Sequence, residues 1–215
     1  MSAEIKEKES AIAFGQKEVK LLTDPIDDDN PVTVQVLGVC SALAVTSQVY
    51  PALIMAIGVT LVTAFSNLVV SSLRKTIPNS IRMIVQLLVI AALVQIVEMS
   101  LGAFAFSAYE MLSVFVGLII TNCIVMGRLE AFAMANKPWQ SFLDGIGNGL
   151  GYGFILVVMA IIRELTGKGS LMGWRIMPEW YVPNNLMVLP CASLFIIGVM
   201  IWIQRGRNRK LIDIS

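Results

Sequence analysis

Apolar residues are concentrated in six segments that short loops separate, and polar residues collect mainly at the two ends of the chain. Most segments continue for about 18 to 22 residues, the length that an α-helix needs to cross a hydrocarbon core about 30 Å thick. The pattern therefore predicts an all-α, polytopic membrane protein with six transmembrane helices. The segments are residues 32–48, 52–73, 81–101, 111–127, 142–163 and 186–204.

The composition supports a membrane protein and excludes several functions. Of the 215 residues, 56% are hydrophobic and 14% are charged, whereas soluble domains are about a quarter charged. The net charge of +1 provides no basic field for nucleic acid, so no nucleic-acid partner is expected. The sequence has no histidine, which excludes imidazole catalysis, imidazole metal ligands and nucleophiles activated by histidine.

The charged residues also predict an orientation. If the N-terminus is cytoplasmic, 13 of the 16 lysines and arginines lie on that side of the membrane, as the positive-inside rule describes. Both termini are then cytoplasmic. Residues 1–30 are expected to form a polar N-terminal cap with an amphipathic helix at the membrane surface, and residues 206–215 are expected to form a cytoplasmic tail.

The first and fourth segments are the shortest, and they resemble each other. Each has a cysteine in its middle, within residues 36–40 and 119–123, and each opens a group of three segments. Three crossings bring the chain to the opposite face of the membrane, so the second group of three segments starts from the other side. Residues 31–107 and 108–205 are therefore expected to form two inverted three-helix repeats. Short, polar segments at corresponding positions predict broken first and fourth helices that meet at the membrane midplane.

Cys40 and Cys123 are the main candidates for chemistry, although a buried cysteine often serves only as a small hydrophobic residue. Neighbours such as Gly38 and Asn122 permit a close approach of the two segments and are expected to lie near any bound group. A structural zinc or an iron–sulfur centre needs four ligands, commonly thiolates. A metal here would therefore need two more ligands from a second subunit. Cys191 has no counterpart in the first half and is interpreted as a packing residue.

A glycine-rich run in the fifth segment looks similar to a dinucleotide-binding motif, but its spacing is wrong and no strand precedes it. Its glycines form two faces that are suited to close contact between helices. One face has Gly145, Gly149 and Gly153, and the other has Gly147 and Gly151. We interpret the run as a packing surface.

Acidic residues inside membrane segments are costly and are therefore candidates for function. Glu98, near the end of the third segment, and Asp144, near the start of the fifth, are candidates for a cation path. Each also suits an interface with access to water. Two neighbouring pairs are interpreted instead as solvated anchors at the membrane faces: Arg128 with Glu130, and Arg163 with Glu164.

Longer strings of the sequence resemble one family of membrane proteins. The chain is similar to the D subunits of bacterial sodium-translocating NADH:quinone reductases, within the larger family of Nqr D/E and Rnf A/E subunits. The similarity spans about residues 30 to 205. The strings that carry it are residues 30–31, 35–46, 77–82, 115–128 and 144–149.

The resemblance implies a component of a complex in the bacterial inner membrane that oxidises NADH, reduces ubiquinone and exports sodium. It implies one intramembrane [2Fe-2S] cluster, held by Cys40 and Cys123 and by two cysteines of the homologous E subunit, which has the opposite orientation. FAD, FMN and quinone would bind to other subunits. The resemblance also points to Asp144 and Glu98 for the sodium path, although an aspartate is expected where this chain has Glu98.

Three alternatives stay open. The first is the equivalent subunit of an Rnf-type ferredoxin:NAD oxidoreductase, which shares the fold and the cysteines. The second is a secondary ion transporter with incidental cysteines, which iron content distinguishes from a cluster-binding subunit. The third is a structural assembly subunit, for which Cys→Ser changes would leave turnover intact.

Overall fold

A computed structural model describes part of the chain, and the described residues are largely helical. Apart from turns and loops, the exception is a hairpin of two-residue strands, β1 (Ser170–Leu171) and β2 (Trp174–Arg175), which pair antiparallel. The predicted all-α class is therefore confirmed for the described residues. These are residues 21–23, 25, 30–75, 77–78, 81–104, 117–171, 174–175 and 185–207.

The helices follow the order of the predicted segments. Residues 117–120 are helical as well and lead into the fourth helix. In chain order, the elements are α1 (Val39–Val45), α2 (Val49–Leu73), α3 (Arg82–Phe104), α4 (Cys123–Arg128), a π-helix (Leu129–Ala133), α5 (Pro138–Lys168), a 3-10 helix (Asn185–Val188) and α6 (Pro190–Arg207).

Among the described residues, three helices are long and apolar enough to cross a membrane: α2, α3 and α5. They correspond to the second, third and fifth predicted segments, and their ends lie within five residues of the predicted ones. Such runs become helical because a helix satisfies its own backbone hydrogen bonds where no water is present. The chain is therefore a helical membrane protein.

Helices α2 and α5 pack antiparallel and form the centre of the fold. Gly145 of α5 lies against Ala64 of α2, and Gly153, two turns later, lies against Ala56. The first glycine face predicted from the sequence thus permits the close contact of these two helices. The buried core around the contact includes Met55, Val59, Leu156 and Met159.

The second glycine face of α5 lies against the N-terminal part of the chain. The backbone carbonyls of Leu21 and Pro25 occupy the space into which side chains at Gly147 and Gly151 would project. Asn30 Nδ2 also donates a hydrogen bond of 3.2 Å to the carbonyl of Gly151. The last residues of the predicted cap therefore pack on α5. Residues 1–20 and 208–215 lie outside the described residues, so the cap and the tail stay predictions.

The first and fourth segments contain short helices, each separated from the next helix by a break. Helix α1 has seven residues and ends before a turn at residues 46–48. Helix α4 has six residues and continues through the π-helix to a turn at residues 134–136. Helix α1 is therefore shorter than the apolar length of its segment, and the described part of the fourth segment is interrupted at residues 121–122, as their polar residues predict. Single π-helical turns frequently occur at functional sites.

Replacing Gly149 with alanine is expected to weaken the contact between α2 and α5. The new Cβ would lie 2.6 Å from Thr60 Cα, and overpacking of this kind costs about 1–3 kcal/mol. Thermal unfolding of the detergent-solubilised protein measures the loss. Gly198→Ala in α6 is the matched control, because its Cβ would meet no described atom within 4 Å. Equal unfolding midpoints for the two variants would contradict the packing role of Gly149.

Candidate functional site

The segment that carries Cys40 begins with a glycine that the local backbone requires. Gly38 has a φ of +76°, a left-handed conformation that favours glycine. A Cβ on Gly38 would also lie 2.5 Å from Ile124 Cδ1. Helix α1 starts directly after this turn, and Cys40 is its second residue and is exposed. The turn therefore places Cys40 at the accessible start of a short helix.

Cys123 occupies the first position of α4, the equivalent short helix in the second half of the chain. The preceding Asn122 caps this helix, since its Oδ1 accepts a hydrogen bond of 3.1 Å from the backbone N–H of Ile124. Asparagine is among the preferred residues at this position because it satisfies a free N–H of the first helical turn. Each cysteine thus lies within the first two residues of a short helix.

The two cysteine-bearing segments are in direct contact. The backbone N–H of Gly38 donates a hydrogen bond of 2.8 Å to Cys123 Sγ. Gly38 is separated from Cys40 by a single residue, so this bond brings both cysteines to the same region of the fold. The sequence-based expectation that the first and fourth segments meet is therefore confirmed.

A buried hydroxyl joins three helices beside the cysteines. Ser41 Oγ lies 2.6 Å from the hydroxyl of Tyr152 in α5, and it donates a hydrogen bond of 3.0 Å to the carbonyl of Gly38. Asn122 Nδ2 donates a hydrogen bond of 3.4 Å to the same oxygen. Helices α1 and α5 and the residue that caps α4 therefore meet at Ser41 Oγ.

The sequence did not reveal the part that Tyr152 takes in this arrangement. The available signal was one aromatic residue with a hydroxyl between two packing glycines, Gly151 and Gly153. Tyr152 is fully buried, and its Cε2 lies 3.1 Å from the position of a Cβ on Gly38. A buried tyrosine hydroxyl usually finds a hydrogen-bond partner, which Ser41 provides here.

The cysteines offer two sulfur ligands at this site. Among the residues that the structure describes, no group of three or more His, Cys, Asp or Glu side chains could hold a metal ion. Cys40 is exposed and Cys123 is partly exposed, so ligands from a second protein have access to both. This donor set fits half of a four-thiolate centre. Cys191 is exposed on α6, and its interpretation as a packing residue stays a prediction.

Asp144 is buried in α5 and paired with an arginine, so the interpretation of Arg128 as a solvated anchor is wrong. Arg128 Nε lies 3.0 Å from Asp144 Oδ2, and a second guanidinium nitrogen contacts Oδ1. The two side chains are 13% and 1% exposed. Asn148 Nδ2 donates a further hydrogen bond of 3.1 Å to Asp144 Oδ1. A charge in the membrane interior is costly unless it is paired, and the bidentate arginine provides that pairing.

Two further acids lie on other helices. Glu98, the second candidate for a cation path, lies near the end of α3 and is partly buried. Glu130 is in the π-helix, where it forms an ion pair with Arg82 of α3 and accepts a hydrogen bond of 3.1 Å from Gln86. Glu130 therefore links the π-helix to α3, and its side chain stays partly exposed.

Arg163 and Glu164 are buried at the break between α1 and α2, so their interpretation as a solvated anchor is also wrong. The guanidinium of Arg163 donates hydrogen bonds to the carbonyl of Leu43 at 3.3 Å and to the hydroxyl of Thr46 at 2.6 Å. Glu164 Oε2 accepts a hydrogen bond of 2.7 Å from the N–H of Val49. A positive charge at the end of α1 and a negative charge at the start of α2 are both favourable, because each opposes the partial charge of that helix end.

The break between α4 and α5 is held in a corresponding way by the end of α2. Ser71 Oγ and Arg74 Nη1 each donate a hydrogen bond of 2.7 Å to the carbonyl of Asn136. Asn67 Nδ2 donates a hydrogen bond of 3.1 Å to the carbonyl of Ser141. Each of the two central helices therefore holds the break in the other half of the chain.

Comparison with known proteins identifies relatives over most of the chain. A model of the family described as "Rnf-Nqr subunit, membrane protein" matches residues 18–201. A protein of Aeromonas salmonicida is 55% identical over 199 residues, which cover 90% of this chain and 95% of the relative. A protein of Shewanella baltica (strain OS155) is 57% identical over 203 residues, which cover 92% and 97%. Both are named as the D subunit of a Na(+)-translocating NADH-quinone reductase.

Proposed function

The chain belongs to the Rnf-Nqr family of membrane-protein subunits, and we propose that it serves as the D subunit of a sodium-translocating NADH:quinone reductase. Relatives that carry this name match more than nine-tenths of their own length. The structural observation that supports the proposal best is the hydrogen bond between the Gly38 N–H and Cys123 Sγ, because it joins the two cysteine-bearing segments.

Within this proposal, Cys40 and Cys123 hold half of a [2Fe-2S] cluster, and the homologous E subunit provides the other two thiolates. The support is the donor set: a cluster of this type is commonly bound by four cysteines, and this chain offers two at one accessible site. The bound cluster would supply one-electron transfer in the membrane core. The residues of this chain position the two thiols and bury the polar side chains next to them. FAD, FMN and quinone bind to other subunits.

The proposal includes six transmembrane helices arranged as two inverted repeats. Helices α2 and α5 each follow a short cysteine-bearing helix, so they are equivalent, and they run antiparallel. Arg74 and Arg163 each lie 25 positions after the first residue of their helix. Each arginine also binds a carbonyl beside the break in the other half. Equivalent helices with opposite directions are the property that defines an inverted repeat.

In the proposed orientation both termini face the cytoplasm of a bacterial cell, and the protein lies in the inner membrane. The excess of Lys and Arg at residues 74–75, 128, 137 and 205–210 supports this orientation. The break between α1 and α2 then lies toward the outer face. The break between α4 and α5 lies toward the cytoplasmic face, together with the buried pair of Arg128 and Asp144.

Purification of the whole complex through a tag on this chain tests the proposal. We expect the homologous E subunit to copurify with this chain. We also expect about two cluster irons per complex in excess of any other iron, and a paramagnetic signal after reduction with NADH. A mock purification from untagged cells gives the background. A complex with quinone-reductase turnover but no such iron would contradict the cluster. A chain that purifies alone and transports an ion would favour the transporter alternative.

We further propose that Asp144 and Glu98 contribute to the sodium path, which the burial of Asp144 supports. Asp144→Asn alone would leave the charge of Arg128 unpaired, which costs about 3–5 kcal/mol for a buried pair. The informative variant is therefore the double change Arg128→Gln with Asp144→Asn, which removes both charges. We expect it to raise the half-saturating sodium concentration for turnover about tenfold or more, because the amide at position 144 offers one neutral oxygen where the carboxylate offers two charged ones.

The double change Arg82→Gln with Glu130→Gln is the matched control, because it removes another ion pair, two residues along the chain from Arg128 and outside the proposed path. It should leave the half-saturating sodium concentration unchanged. Glu98→Gln tests the second acid and should raise that concentration. If neither the Asp144 double variant nor Glu98→Gln alters the sodium dependence, the proposed path is wrong.

A further inference from the structure

We propose that Tyr152 and Ser41 act as positioning residues that direct the Gly38 N–H toward Cys123 Sγ and thereby raise the reduction potential of the bound cluster. The inference rests on the proposed function, since it concerns the same pair of thiols. It adds a role for two side chains that offer no ligand to the metal. The role follows from how these side chains fix a backbone amide.

Tyr152 supports the Gly38 turn with both its ring and its hydroxyl. The ring lies 3.1 Å from the position that a Cβ on Gly38 would occupy, so it packs directly on the turn. The hydroxyl lies 2.6 Å from Oγ of Ser41, which is in the first turn of α1. Tyr152 projects from α5, the longest described helix, at 31 residues. The turn therefore rests on a rigid element rather than on another loop.

Ser41 transmits this support to the peptide groups around Gly38. Its hydroxyl lies 3.0 Å from the Gly38 carbonyl and donates to it. The same oxygen lies 2.6 Å from the Tyr152 hydroxyl, a contact in which either hydroxyl can donate, and it accepts a hydrogen bond from Asn122 Nδ2. One oxygen thus fixes the start of α1 relative to the cap of α4. That relation determines the distance between the Gly38 N–H and Cys123 Sγ.

The bond from Gly38 to Cys123 affects the two redox states unequally. Reduction adds one negative charge to an iron–sulfur cluster and increases the electron density on its sulfur ligands. An N–H donor at 2.8 Å stabilises the reduced state more than the oxidised state, so it raises the potential. If the amide turns away, the potential falls. In a low dielectric environment such a dipole has a larger effect than in water.

The test uses Tyr152→Phe in the complete complex, with Tyr50→Phe as the matched control. The first change removes one hydroxyl and keeps the ring, while Tyr50 is 43% exposed on α2. Iron content and the midpoint potential of the paramagnetic signal are measured in both. We expect full iron in each variant. In Tyr152→Phe the reduction equilibrium should fall about threefold to tenfold, where tenfold corresponds to about 59 mV for one electron.

Ser41→Ala provides a second, independent measurement. Because both hydroxyls act through the same oxygen, the double variant should shift the potential no more than Ser41→Ala alone, as expected for coupled residues. Additive shifts would overturn the inference, and so would an unchanged potential in both single variants. Loss of iron in Tyr152→Phe would overturn it as well, because the hydroxyl would then be needed for assembly of the site. Absence of iron in the unaltered complex would refute the proposed function instead.

Discussion

Replacing either Cys40 or Cys123 with serine is expected to remove the two-iron centre and to lower quinone-reductase turnover more than about 100-fold, beyond the 10- to 100-fold that loss of an outer-shell partner costs. Each single change suffices, since the chain offers only two thiols at the site and a four-thiolate cluster would lose a quarter of its ligands. Serine keeps nearly the same volume at both positions, and at position 123 its oxygen can still accept the hydrogen bond from the Gly38 N–H. The complex should therefore assemble without the cluster.

Cys191→Ser is the matched control, because Cys191 is exposed on α6 and has no counterpart in the first half. It should keep both iron and turnover. Iron analysis, the paramagnetic signal and turnover are measured on complexes purified through the same tag. Retention of iron and turnover in the Cys40 and Cys123 variants would contradict the cluster assignment. Retention of turnover without iron would instead favour a structural role for this chain.

The apolar pattern predicts the long helices well because a long run of apolar residues favours both burial in a membrane and helix formation there. A run of about 20 apolar residues has no other way to satisfy its backbone hydrogen bonds in a hydrocarbon environment. Segments 52–73, 81–101 and 142–163 therefore match α2, α3 and α5. The pattern is less informative for the first and fourth segments, since apolar composition indicates burial but does not reveal where the backbone breaks.

The starts of the two short helices depend on local signals that the sequence contains. Gly38 adopts the left-handed turn before α1, and Asn122 supplies the side-chain cap before α4. Gly38 lies two residues before Cys40, and Asn122 directly precedes Cys123, so the sequence indicates both residues. The contact between the two segments followed from their equivalent positions in the two halves. The candidate thiols could thus be identified from the sequence, while the bond from Gly38 to Cys123 required coordinates.

The charged residues were the least predictable part, because their environment depends on contacts that are distant in sequence. Arg163 and Leu43 are 120 positions apart, and no sequence pattern reveals that the end of α5 reaches the end of α1. Arg128 and Asp144 are 16 positions apart, across the π-helix and a turn. An arginine at the end of an apolar run usually lies at the membrane surface. Here, tertiary packing overrides that expectation at both Arg128 and Arg163.

Replacing Arg163 with methionine is expected to cause the largest loss of stability among single changes outside the cysteines. Leaving a buried acceptor without its donor costs about 1–3 kcal/mol, and Arg163, which is 1% exposed, donates to several such acceptors. Its guanidinium binds the carbonyls that precede α6 as well as the end of α1, with bonds of 2.7 Å to Val188 and 3.3 Å to Met187. The change therefore leaves several buried carbonyls without their donor.

Thermal unfolding of the detergent-solubilised complex measures this effect, and we expect a midpoint about 6–15 °C lower for Arg163→Met, at a few degrees per kcal/mol. Arg163→Lys keeps the charge but replaces a planar fork of donors with a single ammonium, so it should recover only part of the loss. Arg205→Met in α6 is the control, because Arg205 is exposed. Equal midpoints for Arg163→Met and Arg205→Met would show that the break does not depend on this arginine.

Limited proteolysis shows which part of the chain Arg163→Met destabilises. Since Arg163 holds the end of α1 and the residues before α6, its loss should first expose residues 46–48 and 187–189 to cleavage. The turn at residues 134–136 is held by Ser71 and Arg74 instead, so it should stay protected. The two breaks would then unfold independently, although the two halves have similar structures, because each break is held by a different central helix. Uniform cleavage at both breaks would mean that the two central helices lose their packing together and that Arg163 acts on the whole fold.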